Sequence, residues 1–278
     1  MKKAMTIGLM AVLAAGVASA QDGVVMVDQM DGSYASQPEV TVEAALVSSH
    51  VWRGQVLNND FVLQPQVTLS QYGVSINVWG NYDLGKNYQG TSSDFSEIDF
   101  SLAYTLPLDI NDIAFDFGMI GYHFPANGTD NTGSASTTEL FGKATVLSFK
   151  DYVIPSVTMF GDIDEADGVY ILFDLVAPYQ VSDYLSVEGG VSAGWGNTSY
   201  NDHYFNNAPL LGGSSTQDAG WNDYNFYGNV SYEIMENLTA SVSLQYTMLE
   251  GGSIRSAADE IYEADNKFFG GVNIAYDF

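Results

Sequence analysis

The chain has 278 residues, of which 46% are hydrophobic and only 15% are charged, with 34 acidic against 8 basic residues and a formal net charge of −26. A chain this acidic cannot hold nucleic acid by neutralising phosphates, so DNA and RNA are excluded as partners. The absence of cysteine excludes disulfides and thiolate sites, and three histidines are too few to build a histidine metal cluster.

The first 20 residues have the form of a secretory signal peptide. A basic start precedes an apolar stretch over 4–17, and Ala18-Ser19-Ala20 is a small-residue cleavage site. The apolar stretch is short for a membrane-spanning helix. We therefore expect residues 1–20 to be removed after export and residues 21–38, which are polar and acidic, to form a flexible periplasmic lead-in.

From Glu39 onward, apolar and polar residues alternate along segments of about ten residues. In 238–248, for example, Leu238, Val242 and Leu244 share one face of a strand. Twelve such segments are predicted: 39–52, 61–70, 74–82, 97–106, 113–123, 138–148, 153–161, 169–180, 185–196, 223–234, 238–248 and 267–278. An even number of alternating strands is typical of bacterial outer-membrane barrels. We therefore predict an all-β fold, a transmembrane up-and-down antiparallel β-barrel of 12 strands, as a single domain over 39–278.

One early stretch resembles a known family. Ser48-Ser49-His50-Val51-Trp52-Arg53-Gly54-Gln55, followed by Pro65 and by Gly73-Val74-Ser75-Ile76-Asn77-Val78-Trp79-Gly80-Asn81, resembles the opening of porins of the TorF family, the Gcw_chp domain. The match covers about residues 44–85, and His50 stands where many members have an acidic residue. The resemblance implies an outer-membrane, porin-like barrel and brings no catalytic residue.

The connections between the predicted strands alternate between short and long. Short turns and longer loops lie on opposite sides of outer-membrane barrels, the short turns facing the periplasm. Twelve strands then place both termini on the periplasmic side, in the outer membrane of a Gram-negative bacterium. A secreted β-sandwich is the alternative, but its strands run to about 5–6 residues. It also does not explain tyrosines at the strand ends, which suit a membrane-interface girdle.

The C-terminus ends on an aromatic residue after alternating hydrophobic ones. This pattern resembles the signal that the outer-membrane barrel-assembly machinery reads. Its proposed members are Val272, Ile274, Tyr276 and Phe278.

Strand parity predicts which charged residues face the lumen. These residues are Glu43, Arg53, Glu97, Asp99, Asp116, Glu139, Lys143, Asp174, Glu188, Glu233 and Lys267. Eight acidic against three basic residues would attract cations and repel anions. The alternative is that the charges only pair between strands and stabilise the wall. Arg53 could pair with a lumen carboxylate or narrow the entrance, or it could tie the first strand to its neighbour through Glu97 or Asp99.

These features predict a porin-like channel for the passive diffusion of small solutes, with a preference for cations. The alternative is a non-conducting structural or adhesive barrel that acts through its extracellular loops. Expected partners are outer-membrane lipid, lipopolysaccharide, the barrel-assembly machinery and small solutes. We expect no cofactor, no metal and no catalytic residue, because the histidines lie in no recognisable serine–histidine motif. The long 197–222 loop is the best candidate for folding into the lumen or for meeting an external partner.

Overall fold

The computed structural model describes residues 37–87, 92–107, 110, 112–125, 136–206, 217–262 and 264–278. The predicted signal peptide and all but the last two residues of the predicted lead-in lie outside these ranges. Among the described helices, none has the length and apolar character needed to cross a membrane.

Twelve strands form one closed antiparallel barrel, in which β1 pairs with both β4 and β14. The barrel strands are β1 (Glu39–Val47), β4 (Val62–Gln71), β5 (Val74–Asp83), β6 (Phe95–Thr105), β7 (Ile113–His123), β8 (Thr137–Val146), β9 (Ile154–Asp162), β10 (Val169–Ser182), β11 (Leu185–Gly196), β12 (Gly220–Met235), β13 (Leu238–Leu249) and β14 (Asn266–Asp277). The remaining elements are a separate hairpin of β2 (His50–Trp52) and β3 (Gln55–Asn58), and two helices, α1 (Thr198–Phe205) and α2 (Ser253–Ile261).

The predicted fold class is confirmed. The two ends of the barrel differ, and we call them the short-turn end and the long-loop end after the connections they carry. The described termini both lie at the short-turn end, where Tyr276 pairs with Val42 and the Phe278 N–H donates to the Val40 carbonyl over 2.9 Å. Alternation follows from the strand period of two. In β13, for example, Val242 and Leu244 are exposed on the outer face, while Ser241 and Ser243 are buried on the inner one.

One predicted strand boundary is wrong. The sequence pattern predicts a single strand over 39–52, but β1 ends at Val47 and the chain then turns inward as the β2–β3 hairpin. Alternation continues through this segment because the hairpin is itself a β-structure with two packed faces. Its two-residue turn has Arg53 at φ 46° and Gly54 at φ 81°, as a type I′ turn requires.

Candidate functional site: the closed end of the lumen

Three connections fold inward at the long-loop end and pack on one another there. We call them together the plug: the hairpin over 50–58, helix α1 and helix α2. The plug buries Trp52 from the hairpin, Tyr200 and Phe205 from α1, and Ile254, Ala257 and Ala258 from α2. Expectation and structure agree for the first part of the 197–222 loop, since α1 lies in this packed region; residues 207–216 lie outside the described ranges.

The barrel wall supplies a matching set of apolar side chains. They project inward from β7 to β10 and from β13, and they are Ile120, Tyr122, Phe141, Phe160, Tyr170 and Leu249. The ring of Trp52 meets that of Tyr122 edge-on at 5.8 Å and that of Tyr204 at 5.1 Å. The long-loop half of the lumen is therefore filled by a hydrophobic core rather than by water.

A buried ion pair joins the hairpin turn to the wall. Arg53 Nη1 and Nη2 donate to the two carboxylate oxygens of Glu139 at 2.8 and 2.7 Å, and both side chains are 1% exposed. The Tyr122 hydroxyl donates to the same carboxylate at 2.9 Å. Arg53 thus pairs with an inward carboxylate, as one of the alternatives predicts, and that carboxylate is Glu139 on β8. The other alternative, a tie to Glu97 or Asp99 on β6, is wrong. A bidentate arginine–carboxylate pair fixes direction as well as distance.

Aromatic rings surround the guanidinium of Arg53. Its central carbon lies 4.3 Å from the ring centre of Phe160, 4.4 Å from that of Tyr170 and 4.5 Å from that of Trp52. Cation–π attraction strengthens when the cation is desolvated. The left-handed backbone conformation of Arg53 costs about 1–2 kcal/mol, because the residue is not glycine. The contacts with the aromatic rings offset this cost.

Two glycines allow this close packing. A Cβ on Gly54 would lie 2.6 Å from Leu249 Cδ2 and 2.8 Å from Asp223 Cβ. A Cβ on Gly194 would collide with the Tyr170 hydroxyl, which donates to Asp223 Oδ1 at 2.8 Å. The sequence therefore uses glycine at Gly54, where the plug meets the wall, and at Gly194, where side chains of two neighbouring wall strands pack over the backbone.

Side-chain amides hold helix α1 in place. The Asn197 side chain caps the helix by accepting from the Tyr200 N–H at 2.9 Å. Asn201 donates to the Gly196 carbonyl at 3.2 Å and accepts from Asn222 at 2.6 Å. The two helices are linked by the Tyr262 hydroxyl, which donates to the Tyr204 carbonyl at 2.9 Å.

The wall formed by β4, β5 and β6 is polar where it faces the plug hairpin. Asn58 of the hairpin donates to Asp83 at 2.6 Å, and Gln64 donates to Asn81 at 3.0 Å. His50 Nε2 lies 3.4 Å from Glu97 Oε2. Burial lowers the pKa of His50 to about 3, so the imidazole is uncharged at neutral pH. The hairpin therefore has an aromatic side toward β7–β10 and a polar side toward β4–β6.

The short-turn half of the lumen contains hydrogen-bonded carboxylates and amides. Glu43 accepts from Gln66 at 2.8 Å and from Asn273 at 3.1 Å. Asp116 accepts from Thr105 at 2.6 Å, opposite Lys143 in the strand register. Asp174 accepts from Tyr227 at 2.7 Å, and Glu188 is buried opposite Asn229.

The remaining predicted residues lie nearer the rims. Glu233 is half-buried at a bulge beside Met235, and the Lys267 ammonium donates to Asn59 at the long-loop end. The members of the predicted assembly signal, Val272, Ile274, Tyr276 and Phe278, are exposed on the outer face. Tyr276 and Phe278 contact each other at 4.7 Å between ring centres.

The exposed fractions of the inward side chains show how far solvent reaches into the lumen. Inward residues in the middle and at the short-turn end, such as Thr158, Asn229 and Ser243, are 5%, 3% and 7% exposed. Residues on the β8–β11 side, including Lys143 and Asp174, are half-buried. Outside the plug, the inward residues thus range from buried to half-buried.

The sequence analysis did not predict the aromatic rings around Arg53 or the acidic residues Asp83 and Asp223. A signal for these rings does exist in the sequence. In β9 the inward positions from 156 to 162 read Ser156, Thr158, Phe160 and Asp162, and Phe160 is the large apolar residue among them. Such a residue on the inner face, close to a long loop, indicates that something apolar covers it.

The histidines do not form a common site. His50 is buried inside the wall against Glu97, whereas His123 is exposed on the outer face, where its Nδ1 lies 3.0 Å from Ser136 Oγ. The acidic 162–168 segment is organised by Asp162, which accepts from the backbone N–H groups of Asp164 and Ala166 at 3.0 Å each. Among the described residues, no group of three or more acidic or histidine side chains could hold a metal ion.

The family of the chain follows from a match that covers nearly all of it. A family model described as MltA-interacting protein MipA matches residues 23–278. The chain belongs to the MipA family. No curated protein matches it by sequence. The expected TorF label is not confirmed; the coarser expectation, an outer-membrane barrel protein, is confirmed.

Solved structures similar to this MipA-family chain are outer-membrane barrels with little sequence identity. An outer membrane channel from Pseudomonas putida F1 gives a TM-score of 0.54 at 11% identity, over 91% of this chain and 100% of that one. The KdgM porin in complex with disordered oligogalacturonate gives 0.51 at 7%, over 86% and 99%. LpxR from Salmonella typhimurium gives 0.51 at 8%, over 85% and 99%. At these identities the likeness concerns the fold.

Proposed function

We propose that this MipA-family protein is an outer-membrane channel for small solutes that prefers cations and is closed in this conformation by its plug. The single observation that carries the proposal is which part of the molecule closes the lumen. The long-loop end is filled by three connections that fold inward, and not by narrowing of the barrel itself. A closure built from connections can move while all twelve strands stay paired.

The preference for cations is supported by the balance of inward charges. The wall carries Glu43, Asp116, Asp174 and Glu188 in its short-turn half, against Lys143. The plug has two arginines: Arg53 is neutralised by Glu139, and Arg255 pairs with Asp265 at 2.7 Å. In a channel of low dielectric constant, an excess of carboxylates lowers the energy of cations and raises that of anions.

The proposed orientation places the short turns and both termini in the periplasm and the plug at the outer surface. Short turns on the periplasmic side are the rule for such barrels. Lipid contacts the exposed apolar outer face, lipopolysaccharide and divalent ions would meet the acidic long-loop rim, and the C-terminal strand would carry the assembly signal. No step of this proposal requires catalysis or a cofactor.

A second candidate is favoured by the burial of the lumen. A barrel whose long-loop end is filled, and whose other inward residues are buried or half-buried, suits a non-conducting platform that binds a partner through its loops or turns. The family description names an interaction with MltA, and a closed barrel could serve such a role without conduction.

Conductance of the refolded protein in a planar bilayer separates the two candidates. The wild type is compared with the double variant Arg53→Ala/Glu139→Ala, which removes both charges of the ion pair and leaves neither one orphaned. We expect rare openings in the wild type, steady conductance in the variant, and a cation-selective reversal potential in a KCl gradient. Loss of selectivity in the further variant Glu188→Gln would support the charge argument.

Silence of both proteins, with the barrel folded, would overturn the channel proposal in favour of the binding platform. Steady but unselective conductance would keep the channel and reject the cation preference. Lys86→Ala is the control, because it removes an exposed charge at the long-loop end.

A further inference from the structure

The three parts of the plug are held in place by contacts of different kinds. The hairpin is fixed by the buried pair of Arg53 and Glu139, and α1 by the cap of Asn197 and the buried amide of Asn201. At the start of α2, the N-cap residue is Gly252, and no side chain makes a capping hydrogen bond there. The first turn of α2 is therefore less well stabilised than that of α1.

The charges of α2 do not stabilise the helix either. Its first turn has no acidic residue and its last turn has no basic one, whereas the exposed carboxylates of Asp259 and Glu260 lie near its C-terminal end. Because the C-terminus of a helix carries a partial negative charge, carboxylates there are unfavourable. Arg255 Nε lies 2.7 Å from Asp265 Oδ2, but the two side chains are 42% and 19% exposed. Exposed ion pairs of this kind contribute little to stability.

The buried face of α2 is also small. It consists of Ile254, Ala257 and Ala258, whereas α1 buries the rings of Tyr200 and Phe205. The free energy gained by burial is roughly proportional to the apolar area removed from water. Helix α2 therefore gains less than α1 by packing into the plug.

A pair of glycines links α2 to the wall. Gly251 and Gly252 are exposed, and no atom lies within 4 Å of a Cβ built on either one. Just before them, the Leu249 N–H donates to the Asp265 carbonyl over 2.9 Å, so the wall is closed directly beneath the helix. The chain can therefore turn at the two glycines while the strands on both sides stay paired.

We propose that α2 is a lid, which opens on the hinge of Gly251 and Gly252 while the hairpin and α1 stay in place. Opening separates Tyr262, which follows the helix, from the Tyr204 carbonyl and the Phe205 ring. As the first step in opening the plug, this movement rests on the proposed channel function. The movement itself does not require that the lumen conducts.

The test measures how fast a water-soluble maleimide reaches single cysteines, since the chain has none of its own. Ala257 of α2 and Val56 of the hairpin are both 0% exposed, so a cysteine at either position reacts only when its element opens. We expect Ala257→Cys to react about tenfold or more faster than Val56→Cys in the refolded protein. Ser256→Cys, on the exposed side of α2, is the control and should react at the full rate.

A substitution in the hinge should move the lid. The closed position holds Gly252 at φ 81°, which a residue with a Cβ rarely adopts. Gly252→Ala, added to Ala257→Cys, should therefore raise the labelling rate about tenfold, because it destabilises only the closed position. Gly251→Ala is the matched control: Gly251 has no positive φ, and its Cβ would meet no atom within 4 Å.

Hydrogen exchange of the unsubstituted protein covers the case in which a variant fails to fold. Backbone amides of α2 should exchange about tenfold or more faster than those of α1. Equal exchange in the two helices, or equal labelling of Ala257→Cys and Val56→Cys, would overturn the lid and mean that the plug moves as one unit. Conductance decides the channel separately: a barrel that never conducts but labels selectively at position 257 has a lid and is not a channel.

Discussion

The two halves of the lumen use the same inward face of the same strands in opposite ways. In the long-loop half, aromatic residues of β7–β10 pack against the plug around one ion pair. In the short-turn half, carboxylates, amides and hydroxyls bond across neighbouring strands. The fold alone thus does not decide whether the inward face lines a pore or forms a packed core. A few positions, such as Phe160 after Thr158, decide which one forms.

The largest expected effect is the loss of one partner of the ion pair in the long-loop half. Arg53→Ala leaves the Glu139 carboxylate buried without a countercharge, and we expect a loss of about 3–5 kcal/mol in the free energy of unfolding. Urea unfolding in lipid vesicles measures it. Arg53→Met/Glu139→Leu, which removes both charges and keeps the volume, should cost less than the single change. Equal cost for Arg53→Ala and for exposed Lys86→Ala would contradict the idea that the pair secures the plug.

Packing of the plug is the next largest contribution. Phe205 of α1 is fully buried and contacts Tyr262 at 6.0 Å between ring centres. Phe205→Ala should lower the free energy of unfolding by about 3–5 kcal/mol through lost burial and the cavity it leaves. His203→Ala, on the exposed side of the same helix, is the control and should change it little. If both variants unfold alike, α1 does not pack as described.

The tight turn of the hairpin should have an intermediate effect. Gly54→Ala places a Cβ at φ 81° and against Leu249 and Asp223, so we expect a loss of about 2 kcal/mol. Gly251→Ala is matched to it, because nothing lies within 4 Å of a Cβ there. Comparing the two urea midpoints checks the prediction, and a Gly54→Ala protein as stable as Gly251→Ala would show that the hairpin turn is not constrained.

Much of the barrel could be predicted from the sequence, because strand alternation is local. The segments 113–123 and 185–196 are reproduced to the residue, and the alternation also places Glu43, Asp116 and Glu188 inward. The plug could not be predicted in this way. Residues 50–58 continue a β-pattern, so nothing local separates a hairpin inside the lumen from the end of β1. The Arg53–Glu139 pair joins residues 86 positions apart in the chain, and only the closure of the barrel brings them together.

The smallest predicted effect on the free energy of unfolding comes from removing one buried hydroxyl in each half of the lumen. Thr105 and Thr247 are both inward and buried. Thr105 Oγ1 donates to Asp116 at 2.6 Å in the short-turn half, whereas Thr247 Oγ1, in the long-loop half, has no partner among the described residues. Thr→Val removes the hydroxyl at nearly constant volume at either position.

Thr105→Val should therefore cost about 1–2 kcal/mol, because it takes away a hydrogen bond to a charged group and leaves a buried carboxylate oxygen without its donor. Thr247→Val should be neutral or stabilising, because the hydroxyl it removes is desolvated and unpaired. Urea unfolding of the two variants in vesicles gives both values. The reverse order would mean that the short-turn half is hydrated enough for water to replace Thr105. That outcome would favour an open lumen up to the plug, with the closure confined to the long-loop half.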